Sequence, residues 1–197
     1  MCPVPLGESM LTRLRAFAIL SVVTLGVRAG DFGPLMDAVK ASWPEKTHIA
    51  VVADYEQSAA EIQDLAQAAG AGTVITVLDT HKHGYYPAAY RVVVNRIKPD
   101  YVVLLRHDST CGEGTPESSW LVGQVAAAGI PSIGTSPVAI RQGAVFAVGN
   151  ETGNQILVNS EIKGSIHVVL PARDSFRVSA ARLEGPARIQ RIEMGRH

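Results

Sequence analysis

The run Arg106-His107-Asp108-Ser109-Thr110-Cys111-Gly112-Glu113-Gly114 is the richest polar stretch of the 197-residue chain. Arg106, with hydroxyls and backbone N–H groups beside it, is suited to holding an anion or a carboxylate. His107, Asp108 and Cys111 also suggest nucleophilic chemistry. Neighbours on an extended chain point to opposite sides, so a working pair would need the fold to converge them. Asp54-Tyr55 offers a carboxylate acceptor and a ring on which a polar ligand can stack. The same Asp54 is equally suited to opening a turn and capping the helix that begins near Glu56. His81-Lys82-His83 places two imidazoles on one side of an extended segment, as metal ligands require. Two ligands are not a site, and Asp79 and His107 would have to complete it. The hydroxyl of Ser136, in Gly134-Thr135-Ser136-Pro137, is either a ligand contact or a cap. Tyr85, Tyr86, Tyr90 and Trp120 are candidate anchors for a protein interface. The chain contains no GxGxxG, Walker A, HExxH or GxSxG pattern, and no cofactor is indicated.

These residues fall between elements of two alternating kinds. His48–Ala53, Thr73–Leu78, Tyr101–Leu105, Pro131–Gly134 and Ala144–Val148 are short apolar runs that read as buried strands. Phe32–Trp43, Gln57–Ala69, Tyr86–Ile97 and Glu117–Ala128 carry apolar residues at helical spacing, with Gly70 and Gly129 closing two of them. Continuous apolar strands separated by helices predict an α/β fold, an open and mostly parallel sheet with helices on both faces. The expected form is a single Rossmann-like lobe with right-handed crossovers. A ligand crevice on such a sheet lies at the carboxyl ends of the strands. That rule selects loops 54–58, 79–86, 106–116 and 135–140. Past Gly149 the alternation stops. Ile156–Val158 and Ser165–Leu170 read as edge strands or a β-arm, and the tail 173–197 as a strand pair, a docked arm or disorder.

Composition narrows the setting. Eighteen Lys and Arg balance eighteen Asp and Glu, which gives no global attraction to nucleic acid. Two cysteines, Cys2 and Cys111, supply neither a disulfide framework nor a cysteine-built zinc site. Residues 1–29 are laid out as a secretory signal, with Met10 a candidate start. Arg13 and Arg15 precede the largely apolar run Ala16–Val27, and Ala29 precedes the expected cut. The expected organisation is a signal at 1–29, an α/β lobe at 30–150, and a β-arm with tail at 151–197. The expected location is periplasmic or secreted, with no membrane span in the mature chain. Asn150-Glu151-Thr152 is a glycosylation sequon, relevant in a eukaryotic secretory route.

Several segments resemble the second lobe of type I periplasmic substrate-binding proteins of the ABC-transporter class. Pro34–Asp54, with its Pro-containing turn followed by His-Ile-Ala-Val-Val-Ala-Asp, is similar to that lobe's opening helix and strand. Lys98-Pro-Asp-Tyr-Val-Val-Leu-Leu, Ala128-Gly-Ile-Pro-Ser-Ile-Gly and Arg141-Gln-Gly-Ala-Val-Phe-Ala-Val-Gly are similar to segments that follow in the same order. The resemblance covers roughly residues 34–158. It implies that the loop carrying Asp54 and Tyr55 faces a ligand cleft. Joined with the strand-end rule, the expected ligand-binding set is Asp54, Tyr55, Arg106, His107, Asp108, Ser109 and Ser136. It also implies half of a two-lobed clamp. The expected function is that of an exported non-enzyme binding a small polar ligand or a protein partner, alone or as a homodimer or larger assembly. The alternatives are an accessory subunit docked on an extracytoplasmic assembly and, last, an enzyme using His107, Asp108 or Cys111.

Overall fold

A computed structural model describes residues 32–81, 86–149, 155–159 and 185–194. The elements in chain order are α1 (Phe32–Ser42), β1 (His48–Ala53), α2 (Tyr55–Ala69), β2 (Val74–Asp79) and α3 (Tyr86–Val92). After a π-helical turn at Val93–Ile97 come β3 (Tyr101–Val103), α4 (Pro116–Ala127), β4 (Ser132–Gly134) and α5 (Pro137–Arg141). β5 (Phe146–Val148), β6 (Ile156–Val158) and β7 (Arg188–Glu193) complete them. The seven strands form one sheet in the order β6-β5-β4-β3-β1-β2-β7, parallel throughout except for β6 against β5. This is the α/β architecture expected from the alternating apolar runs.

The period-two alternation of strand side chains sorts the core into two faces. Ile49, Val51, Ile75, Val77 and Val103 pack with Leu35, Met36 and Val39 of α1 and Ile62 and Leu65 of α2. Ala50, Val52, Leu78 and Val102 pack on the other face with Ala89, Val93, Leu121 and Val125. Because both faces are covered, the central strands β1, β2 and β3 are predominantly apolar, whereas the edge strand β7 is largely polar. Trp43 closes the first core edge-on to Phe146, with ring centroids 4.9 Å apart.

Local chemistry sets the helix ends. Asp54 Oδ1 accepts from the Gln57 amide, and Thr115 Oγ1 from the Ser118 amide, so both act as N-caps. Ser136 caps α5 in the same way. Gly70 leaves α2 at φ 73°. The periodicity predicts one regular helix over Tyr86–Ile97, whereas the last five residues widen into the π-helical turn. Pro99 explains the difference. A proline disfavours α backbone in the residue before it, and Lys98 takes φ 49° and donates its amide to the Val93 carbonyl.

The tail resolves in part. Arg188–Glu193 docks as a single parallel strand on β2, in register from Val74↔Arg188 to Asp79↔Glu193. The sheet therefore draws two of its strands from beyond residue 150. The expected signal at 1–29, the strand at Ser165–Leu170 and the sequon at Asn150–Thr152 lie outside the described residues.

Gly112 is required by close approach. A Cβ there would fall on the carbonyl oxygen of Asp108, which is backbone and cannot turn aside. Gly112→Ala should lower stability by at least the ~1–3 kcal/mol typical of overpacking, read as a drop in the urea midpoint at unchanged slope.

Candidate functional site

The loops leaving β1, β2, β3 and β4 stand together at the carboxyl ends of the parallel strands, where a crevice is expected, and buried carboxylates tie them together. Asp108 is 4% exposed. Its Oδ2 accepts from the Asp54 amide and the Ser58 hydroxyl, both at 2.8 Å. Its Oδ1 accepts from the amides of Thr110 at 2.9 Å and Cys111 at 2.6 Å. The β3–α4 loop is thereby fastened to the start of α2. Glu61, one turn further along α2 than Gln57, accepts from the amides of Arg106 and His107. Gln57 Oε1 accepts from the amide and hydroxyl of Ser109. Residues 57 and 61 share a helix face at i,i+4 spacing, and that polar face holds the loop.

Glu113 performs the same service on the β4 side. It accepts from the amide and hydroxyl of Thr135 and from the Ser136 hydroxyl. Arg106 Nη2 donates to the Thr135 carbonyl at 3.0 Å. Burial raises the carboxyls of Glu61 and Glu113 above the ordinary range, against the hydrogen bonds that favour their ionised forms.

Asp79 ends β2 and is fully buried. Its Oδ1 accepts from the amides of Tyr55 at 3.2 Å and His81 at 3.1 Å. Its Oδ2 accepts from Arg191 Nε at 2.7 Å and pairs with Nη2 of the same guanidinium. Arg191 also lies over the Tyr55 ring, 4.6 Å from its centroid. Burial pushes the Asp79 carboxyl up. The His81 and Tyr55 amides and the Arg191 guanidinium outweigh it and hold the group below the usual aspartate range.

The structure thus brings many of the sequence-selected residues together while giving several of them structural work. Asp54 and Asp108 are in direct contact, Tyr55 abuts Asp79, and Arg106 reaches the loop that carries Ser136. The Asp108 carboxylate is saturated by protein donors, and the Ser136 hydroxyl is held by Glu113 while capping α5. The His107 side chain is at the surface, and no hydrogen bond joins it to Asp108 or Cys111. Cys111 is 1% exposed, and burial followed by the charges of Asp108 and Glu117 pushes its thiol up to about 12. A thiol in that state is not a nucleophile at neutral pH. His81 Nδ1 is 3.6 Å from Asp79 Oδ2, and His83 lies outside the described residues. Among the described residues no group of three His, Cys, Asp or Glu side chains is placed to hold a metal ion. Tyr86 and Tyr90 of α3 meet Trp120 of α4 edge-on at 5.3 and 5.4 Å, and Trp120 is 37% exposed. Tyr85 lies outside the described residues. No helix among the described residues is long and apolar enough to cross a membrane.

Three residues escape the sequence reading as members of the site. Gln57 and Glu61 left one signal, their i,i+4 spacing just after a capped turn. Arg191 left a fainter one, in the period-two placement of Ile189, Arg191 and Glu193.

Among the described residues, three buried side-chain atoms have no hydrogen-bond partner, namely Asp54 Oδ2, Thr80 Oγ1 and Thr110 Oγ1. They stand just past β1, just past β2 and in the loop after β3, at the same end of three adjacent strands. The Thr80 amide donates to the Ala53 carbonyl, and the Asp54 and Thr110 amides both donate to Asp108.

No family model matches the chain, and no curated protein sequence matches it. Among solved structures, the ABC domain in complex with L-Trp from Streptococcus pneumonia is similar to it. The TM-score is 0.52 at 13% identity, and the match covers 82% of this chain and 50% of that one. The chain spans about half the length of that structure. The likeness is one of fold, an α/β lobe built on a mostly parallel sheet.

Two expected outcomes follow from the buried carboxylates. Asp108→Ala strands four donors, and since hydrogen bonds to charged groups contribute about 1.5–3 kcal/mol each, it should lose at least 3 kcal/mol in urea unfolding. His107→Ala should stay within about 0.5 kcal/mol of the parent, as surface substitutions do. The second outcome concerns pH. With a depressed folded-state pKa, Asp79 contributes stability above its unfolded value, near 3.9, that is lost as pH falls through the folded value. Glu61 and Glu113, raised in the native state, favour folding on acidification and oppose it as pH rises through their folded values. Urea unfolding at stepped pH should show a shallower acid loss in Asp79→Asn than in the parent.

Proposed function

We propose that the chain is an exported, non-enzymatic binding lobe, akin to the second lobe of type I ABC-transporter substrate-binding proteins. It takes a small polar ligand at the carboxyl ends of β1, β2 and β3. The observation that carries this reading is the grouping of the three unpartnered polar atoms. The large majority of buried side-chain polar atoms find partners in native proteins, and each one left alone costs about 1–3 kcal/mol. Here the three fall on neighbouring strand ends, where an open α/β sheet binds its ligands. Asp54 Oδ2 accepts only, and the two hydroxyls can accept, so the group favours a ligand rich in hydrogen-bond donors. The atoms are sealed beneath the loops, and the ligand reaches them as the loops part. The saturated Asp108 carboxylate and the buried Cys111 thiol support binding over catalysis.

A docking role as an accessory subunit is favoured by a different feature, the half-exposed Trp120 flanked by Tyr86 and Tyr90. The two readings are separated by titrating the chain with L-tryptophan, other free amino acids and neutral polyols in a thermal-shift assay. A bound ligand at a hundred times its Kd stabilises by about 2.7 kcal/mol. Binding should weaken roughly ten- to hundredfold in Asp54→Asn, the loss of a hydrogen bond to a charged acceptor, and less in Thr80→Val. If no probe shifts the parent, and Asp54→Asn and Thr80→Val simply raise its stability, the polar atoms are water sites and the docking reading takes precedence.

A further inference from the structure

We infer that β7 is a latch on the crevice, with Arg191 the positioning residue that holds the loops after β1 and β2 in one arrangement. This inference rests on the binding role proposed above, because it assigns a control element to the same site. The strand is firmly seated. Its six residues pair with β2 in continuous register. The Arg188 amide donates to the Thr73 carbonyl and the Met194 amide to the Asp79 carbonyl, each at 2.9 Å. Ala187 and Met194 are buried at its two ends. The Ala187 amide and the Gly185 carbonyl hold it to the end of α2 and the turn beyond.

Arg191 then reaches both loops at once. Its guanidinium bonds Asp79 Oδ2, while Asp79 Oδ1 accepts the amides of Tyr55 and His81. Those two amides belong to the first residue of α2, just past β1, and to the second residue after β2. The same guanidinium lies on the face of the Tyr55 ring, next in sequence to Asp54, whose Oδ2 has no hydrogen-bond partner among the described residues. An exposed ion pair contributes little to overall stability. This pair differs in that the carboxylate is fully buried and the cation comes from 112 residues away. Without the cation, Asp79 keeps a buried charge whose remaining donors are the two loop amides. The arrangement of Tyr55 and Asp54 therefore depends on whether β7 presents Arg191.

The test is hydrogen exchange read by mass spectrometry on the full chain, alongside the same amino acids and polyols as probes. Arg191→Met should speed exchange of the 54–58 and 79–81 amides at least tenfold, with the 188–193 amides still protected. It should also weaken probe binding, with both association and dissociation faster. Tyr55→Leu should give the same change, and the double variant should be no worse than either single one, the mark of residues acting through one contact. Arg191→Lys keeps the charge but loses the planar fork, so it should restore part of the protection. If Arg191→Met frees β7 altogether, the comparison of Arg191→Lys with the parent decides, because both keep the cation. Unchanged exchange at 54–58 in both Arg191 variants overturns the latch. When a probe binds the parent and Arg191→Met alike, the latch fails and the binding reading stands. When no probe binds the parent, the binding reading fails, and the exchange of the loops still decides the latch.

Discussion

Asp108 accepts four hydrogen bonds at the point where the chain leaves β3, and the form of the crevice depends on it. The carboxyl ends of parallel strands are a difficult place for a polypeptide. The ladder stops there, and amides that would have paired with a neighbouring strand need other acceptors. A carboxylate has two oxygens and about four acceptor positions, so one buried aspartate can gather amides from several loops. Asp108 takes amides from Asp54, Thr110 and Cys111 and a hydroxyl from Ser58. Glu61, Asp79 and Glu113 repeat the device on adjoining loops. The crevice is therefore built from acidic side chains that serve the backbone, and its loops are held by charge-assisted contacts rather than by apolar packing.

This arrangement changes the meaning of the polar residues. A stretch such as Arg106–Gly114 looks like an active site because it concentrates titratable groups. In the folded chain its two carboxylates face inward to backbone and hydroxyl donors. Glu113 satisfies the β4 loop, Asp108 the start of α2, and Cys111 packs among Val52, Leu121 and Val125. What these contacts leave unpaired among the described residues is smaller: Thr110 Oγ1 within the stretch, and Asp54 Oδ2 and Thr80 Oγ1 outside it.

Much of the fold was legible in the sequence, and the reason is physical. β1 and β2 are covered on both faces, so their residues are predominantly apolar on both and stand out as strands. The capping aspartate at 54 and the glycine at 70 mark α2 because the chemistry of helix ends is local. The crevice could be located from the strand order, since its position follows from sheet geometry. Less legible was anything that depends on pairing at a distance. Whether Asp54 caps or binds cannot be read from its neighbours, and the structure has it doing the first with one oxygen while the second stays free. Gln57 and Glu61 look like ordinary solvent-facing helix residues until the β3 loop is laid over them. The π-helical turn was hidden because apolar spacing over Tyr86–Ile97 fits a regular helix, and the effect of Pro99 reaches back only through Lys98. Arg191 was hidden by sequence distance alone.

The position of β7 in the sheet also bears on how the chain is made. Synthesis delivers β1 through β5 long before residue 191, so the lobe's central strands can pair while Asp79 still lacks its cation. A carboxylate without that partner resists burial, and β2 remains an open edge beside it. β7 supplies the edge and the countercharge together. The burial of Asp79 is therefore tied to a residue made 112 positions later, and the end of β2 keeps an unmatched carboxylate until that residue arrives.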